Sequence, residues 1–215
     1  MAQRTLLQRL AFPITQQAVR LAFTVFFQGR CRGRENYPRA GGALVCSNHQ
    51  SNFDPVLIGL TCDRRLNYLA KKSLFRIPLF GPFIRFWDAI PVDRSGKDIA
   101  GLKESLRRLK RGEMLLVFPE GTRTRDGKIA PLKSGFCTLA RRAKVPIVPV
   151  GFDGPYHAWP RENLLPRLAK IHVCIGEPIS TEAVQSLNDD QLTAELEARL
   201  RQLFEQAQRS TRPRR

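Results

Sequence analysis

The sequence predicts a single α/β domain, a mostly parallel mixed sheet flanked by helices, with an amphipathic helix at the N-terminus. Three observations predict it. Short β-rich apolar runs alternate with helical patterns along most of the chain, as in βαβ units. Several of those runs are apolar at every position, as expected of strands buried on both faces. At 215 residues the chain is long enough for one full hydrophobic core.

In chain order, Leu7, Leu10, Ile14, Ala18, Leu21 and Val25 recur at three- and four-residue steps, one helical stripe. Residues 1–30 are therefore read as a membrane-associating amphipathic helix. Its apolar face would enter lipid while Arg4, Arg9 and Arg20 meet anionic headgroups; packing on the protein's own core is the compatible alternative. Thr15-Gln16-Gln17 is too polar for a span, which needs about 20 apolar residues. Strands are expected at Ala43–Cys46, Tyr68–Ala70, Ala89–Val92, Met114–Phe118, Pro146–Val150 and Ile171–Ile175, with helices at Val56–Leu60, Ile99–Lys110 and Gly135–Ala143. The two prolines of Val145–Val150 remove ladder donors and point to an edge or bulged strand. A last helix covers about Asp190–Gln206, capped from Asn188 or Asp189, with Leu192, Leu196, Leu200 and Phe204 on one face. Residues 31–208 form the main domain, and 209–215 are read as a disordered basic tail.

The 36 Lys and Arg against 19 Asp and Glu give a net charge of +17, which attracts anionic partners of any kind. Nucleic acid is disfavoured, because aromatics interleaved with basic residues on a recognisable binding motif are missing. The five cysteines show no Cys-x-x-Cys spacing and read as thiols in a reducing compartment. His49, His157 and His172 are far apart, so no metal site is expected. There is no Gly-x-Ser-x-Gly elbow, and no phosphate-loop or Gly-x-Gly-x-x-Gly spacing, so those hydrolase and nucleotide chemistries are not supported.

Four blocks carry candidate chemistry. His49 follows a strand, and Asp54-Pro55 looks like a helix N-cap with Pro at the first helical position. Along a helix, five residues turn through roughly 140°, so the two side chains meet only if His49 lies on the loop. Asp54 would then hold one ring nitrogen protonated and leave the other free to take a proton. The spacing alone leaves open that Asp54 merely caps its helix. Next, Phe118-Pro119-Glu120-Gly121-Thr122-Arg123-Thr124 follows an apolar strand, where parallel sheets bind ligands. There Gly121 permits close backbone approach to an anion, Thr122 offers a hydroxyl, and Arg123 a fork matched to phosphate, with Glu120 able to orient Arg123 or a substrate hydroxyl. The remaining blocks are Ile90-Pro91-Val92-Asp93-Arg94 and Val145-Pro146-Ile147-Val148-Pro149-Val150.

In this order the blocks resemble the motifs of the 1-acylglycerol-3-phosphate (lysophosphatidic acid) acyltransferases of the glycerolipid acyltransferase superfamily, over about residues 40–152. The stretch Ala70–Gly81 also resembles that family. The resemblance implies transfer of an acyl group from acyl-CoA or acyl-carrier protein to a lysophospholipid hydroxyl, without a metal or other cofactor. It implies His49 as base, Asp54 as its orienter, and Arg123, Arg94 and Lys71 as phosphate binders, with Glu120 and Gly121 shaping the site. It further implies an anionic membrane surface as partner, at the cytoplasmic face of the inner membrane. A different lysophospholipid or a lyso-aminolipid acceptor is the alternative. Asp88 departs from the pattern, standing where a small residue such as Gly is usual. Tyr156–Pro160 reads as a surface turn, with a substrate-contacting loop as the alternative, and Ile77–Trp87 as either core or a segment dipping into lipid.

Overall fold

The computed structural model describes residues 6–93, 99–160, 162, 163 and 165–211. Seven strands, β1 (Arg30–Arg32), β2 (Ala43–Ser47), β3 (Leu66–Lys71), β4 (Ala89–Val92), β5 (Met114–Val117), β6 (Ile147–Asp153) and β7 (His172–Ile175), form one sheet in the order β1-β7-β6-β2-β5-β3-β4. All pairs are parallel except β6 with β7. The helices are α1 (Leu6–Phe27), α2 (Asp54–Thr61), α3 (Phe80–Phe86), α4 (Ile99–Lys110), α5 (Gly135–Ala143), α6 (Pro155–Ala158), α7 (Thr181–Ser186) and α8 (Asp189–Thr211).

Alternation along β2 divides the core. Ala43 and Val45 pack with Phe23 of α1, Leu57 and Ile58 of α2, and Trp87 beyond α3. Leu44 and Cys46 face the opposite layer, with Leu139 of α5 and Leu196 of α8. The expected leucine face of α8 is fully buried at Leu192, Leu196 and Leu200. Asn188 caps it in a reciprocal box: its Oδ1 accepts the Gln191 N–H, and Gln191 Oε1 accepts the Asn188 N–H. The helix runs to Thr211, whose hydroxyl reaches Asp153, so 209–211 are ordered and not a loose tail. Residues 212–215 lie outside the described part.

Two expectations about strands are corrected. The proline-bearing β6 is an interior strand, paired with β2 on one side and β7 on the other. In a strand, N and C=O of one residue point the same way. The Pro149 carbonyl accepts from Gly176, so its nitrogen faces the β7 side and not β2, and the missing donor falls one residue past the end of β7, outside the regular ladder. By contrast β1 carries no apolar run and was not expected. It is a three-residue edge strand with arginines outward, a form that discourages further pairing.

Within α1, Arg20 is oriented differently from expectation. Gln16 is buried and donates to the carbonyls of Gly59 and Cys62. Arg20 donates to those of Leu60 and Cys62 and pairs with Asp63. Together they satisfy the carbonyls at the C-terminus of α2, so Arg20 turns inward and not to a headgroup. The apolar stripe faces out, with Ile14 72%, Leu21 66% and Val25 62% exposed. Arg4, and the side chains of Leu7, Arg9 and Leu10, lie outside the described part. Among the described residues no helix is long and apolar enough to cross a membrane.

Asp88, the residue out of pattern, has φ +60°, a conformation that glycine adopts freely and Asp tolerates better than most. Its carboxylate is held by Arg65 and its carbonyl by Arg108. The departure from a small residue thus leaves the backbone path intact.

Candidate active site

β2 lies between β6 and β5, and the chain leaves it toward β3 on one side while β6 is reached on the other. The carboxyl ends of these three adjacent strands meet at such a switch point, the usual place for a site in an α/β sheet. His49 follows β2, and Glu120–Arg123 follow β5.

What throws His49 off the strand is Asn48. Its buried side-chain amide donates to the Phe152 carbonyl at 3.0 Å and accepts the Phe152 N–H at 3.0 Å. The amide replaces the next backbone pairing of β2 with β6, which frees the main chain to turn. The loop then doubles back on Asp54, and the carboxylate of that fully buried residue does not cap α2. Its Oδ2 takes the His49 Nδ1 at 2.7 Å and the N–H groups of Gln50 at 2.6 Å and Ser51 at 2.8 Å. Three donors on one oxygen is the arrangement of a carboxylate. Burial pushes the Asp54 carboxyl up, opposed by His49 and the two amides. With Nδ1–H given to Asp54, the Nε2 of His49 keeps its lone pair and can accept a proton.

His49 is fixed on its remaining sides by the segment after β5. Its N–H donates to Glu120 Oε1 at 2.7 Å, and its carbonyl accepts the Thr124 N–H at 2.8 Å. Its ring lies flat on Phe118, centroids 3.9 Å apart and 11° from parallel. That face also favours the imidazolium once it forms. The two blocks read separately in the sequence are therefore one unit.

Glu120 differs from expectation. It is buried, and its second oxygen accepts the Ala130 N–H at 2.9 Å, so it ties loops together and does not face Arg123 or solvent. Burial pushes its carboxyl up to about 7, against the pull of the two amides. Gly121 closes a turn by donating to the Phe118 carbonyl, and its φ of +73° is what requires glycine. Thr122 is exposed at that turn. Arg123 donates to Asn52 Oδ1 at 2.6 Å, which places its guanidinium beside the loop that carries His49.

Lys71 ends β3, two strands from β2 and so about 10 Å away laterally. With Lys72, Ser73, Arg76, Val92 and Asp93 it lines a cleft of about 200 Å³. Arg94 lies outside the described residues, directly after Asp93. Tyr156–Pro160 is not a plain turn. It begins with α6, where the Tyr156 N–H donates to Gln50 and its hydroxyl to the Arg125 carbonyl. Asn48, Phe118 and Tyr156 had no role legible beforehand. Only the position of Asn48 beside His49, and of Phe118 at a strand end, could have signalled theirs.

The five cysteines are unpaired and four are buried; burial pushes Cys62 up to about 11 and Cys46 well above the ordinary thiol range, so neither offers a thiolate. What remains is a base, aimed by a carboxylate at a strand end, beside cations. An imidazole so aimed, with the Arg123 guanidinium beside its loop, is suited to taking a proton from a hydroxyl.

Comparison with known proteins agrees. A family model described as Acyltransferase matches residues 28–153. A 1-acyl-sn-glycerol-3-phosphate acyltransferase of Bacillus subtilis is 33% identical over 147 residues, 68% of this chain and 71% of that protein. One from Cocos nucifera is 35% identical over 143 residues, covering 65% of this chain and 46% of the longer plant protein. The crystal structure of the 1-acyl-sn-glycerophosphate (LPA) acyltransferase PlsC from Thermotoga maritima superposes with a TM-score of 0.83 at 26% identity, over all of this chain and 86% of that one. The chain belongs to the acyltransferase family.

Proposed function

We propose that this protein transfers a fatty acyl group from acyl-CoA or acyl-carrier protein to the free hydroxyl of 1-acylglycerol-3-phosphate, giving phosphatidic acid. The observation that carries the reading is His49 held at its backbone, ring face and Nδ1 at once. The acceptor hydroxyl passes its proton to Nε2 as its oxygen attacks the thioester carbonyl carbon. The tetrahedral intermediate collapses with cleavage of the C–S bond, and the imidazolium protonates the departing thiolate. The relatives' printed activities and the cation-lined cleft support phosphate as the acceptor's anionic group. In this reading Arg123, Lys71 and Arg94 bind it, with Thr122 adding a hydroxyl.

The outward apolar stripe of α1 supports attachment to an anionic membrane surface, where the acceptor dissolves. The unpaired cysteines fit a reducing compartment, and in this reading the enzyme works at the cytoplasmic face of the inner membrane.

The test is release of free thiol from acyl-CoA and acyl-carrier protein across lysophospholipid and lyso-aminolipid acceptors. Release that depends on 1-acylglycerol-3-phosphate supports the reading; release equally fast with a neutral lysolipid, or without any acceptor, overturns it. In the same assay Arg123→Ala is expected to raise the acceptor KM about tenfold or more, with kcat changed only a few-fold, as loss of a charge-assisted contact does. A fall in kcat with KM unchanged would contradict the phosphate role.

A further inference from the structure

We infer that Ile77–Phe83 is a second membrane anchor, which enters an anionic bilayer beside the mouth of the site and fixes, together with α1, how the enzyme sits on the surface. The inference rests on the membrane attachment proposed above and adds a partner for a segment that chemistry leaves unused. Leu79 is 88% exposed at a turn with φ +63°, ψ −43°, a backbone region unfavourable for a branched L-residue. The turn is nonetheless locked: Gly81 N–H bonds the Ile77 carbonyl at 2.8 Å, and Phe83 N–H the Leu79 carbonyl at 3.2 Å. A strained, rigid turn that holds a leucine out in water gains nothing there. Ile77, Phe80 and Phe83 beside it are 46%, 42% and 49% exposed, and the two phenylalanine rings stand 6.3 Å apart.

Charge selects the partner. From residue 64 to 87 the chain has no Asp or Glu, and Lys71, Lys72, Arg76 and Arg85 are exposed around the apolar tip. Cations ringing an apolar tip match the headgroup layer of an anionic bilayer. Position agrees. Among the described residues, ten of the eleven large exposed apolar side chains belong to α1, to this segment, or to Leu165 and Leu168; the exception is Ile99. These elements flank the layer of the sheet covered by α1 and α2, and among the described residues the opposite layer, that of α4, α5 and α8, exposes only Ile99 of this kind. The segment lies in the crossover from the carboxyl end of β3 to the start of β4, and Arg76, directly before Ile77, lines the same cleft as Lys71, so the anchor adjoins that cleft.

The test compares three full-length proteins in flotation with vesicles of equal parts phosphatidylglycerol and phosphatidylcholine. They are wild type, Leu79→Ser/Phe80→Ser/Phe83→Ser, and Leu21→Gln/Val25→Gln/Phe26→Gln. Wild type is expected to float, and the first variant to need about tenfold more lipid or more for half-binding. Its thiol release with a short-chain, water-soluble acceptor should stay within about twofold. Wild-type flotation of the first variant, with weakened flotation of the second, overturns the second anchor and spares the membrane reading. No flotation of wild type overturns both. Equal losses on vesicles and on the soluble acceptor would assign the segment to the acceptor's chain, and a dimer broken with flotation intact would assign it to a second copy; either overturns the anchor. A readout that leaves the segment unaltered uses Trp159→Phe and lipids brominated near the ester end. Trp87 lies 6.3 Å from Phe83, so its fluorescence should be quenched, and no quenching contradicts insertion.

Discussion

Replacing His49 with Ala is expected to lower kcat for acyl transfer by roughly 10³-fold, within the 10²–10⁴ that a positioned base contributes. The fold should survive, because the side chain's contacts are to Asp54 and the face of Phe118, while the backbone bonds to Glu120 and Thr124 remain available. The acceptor KM should change little, since the cations assigned to the phosphate are untouched. Steady-state thiol release with the circular dichroism spectrum of the variant checks both halves. A rate within tenfold of wild type would remove His49 from the mechanism.

The second large effect is expected at Glu120. Both of its oxygens accept backbone N–H groups, one from His49 and one from Ala130. Glu120→Ala leaves two donors without their partner, at about 1–3 kcal/mol each, and slackens the loop that aims the imidazole. A fall in kcat on the order of 10²-fold is expected, since misplacement by about 1 Å has that effect, with Glu120→Gln retaining more because it keeps one acceptor. There is also a pH signature. The Glu120 carboxyl titrates at about 7 in the folded protein against 4.5 for the free side chain. Between those values the folded state holds a proton that the unfolded chain has shed, so this group's contribution to stability falls as pH rises across the window and levels off above it. Melting temperatures of wild type and Glu120→Gln from pH 5 to 8 should therefore shift in the variant's favour up to about pH 7. Parallel curves would place the carboxyl elsewhere on the pH scale.

What the sequence disclosed depended on whether the partner of a residue was itself patterned. Ile99–Lys110 and Gly135–Ala143 match α4 and α5, because amphipathic periodicity and caps are local. His49 with Asp54 was legible from the loop-to-helix junction, as was the capping of α8 at Asn188. Glu120 was read from its residue type as orienting Arg123 or a substrate hydroxyl, whereas its partners are main-chain amides from two other loops, which carry no letter in a sequence. Arg20 was misread for the same reason, its partners being the last carbonyls of α2. For β6, proline argued for an edge, and only the end of β7 at Ile175 reveals why an interior strand tolerates Pro149. The three residues of β1 have no apolar signal at all.

The central claim is that His49 and Asp54 act as one base. A double-mutant cycle measures this most directly, from kcat of wild type, His49→Ala, Asp54→Asn and the double variant. Asn at position 54 removes the charge that supports the imidazolium, so its single loss should be large, on the order of 10³-fold. Without the imidazole that charge has nothing to support, so the double variant is predicted to be about as slow as His49→Ala alone. Losses that multiply, with the double variant slower by the product of the two singles, would contradict the account.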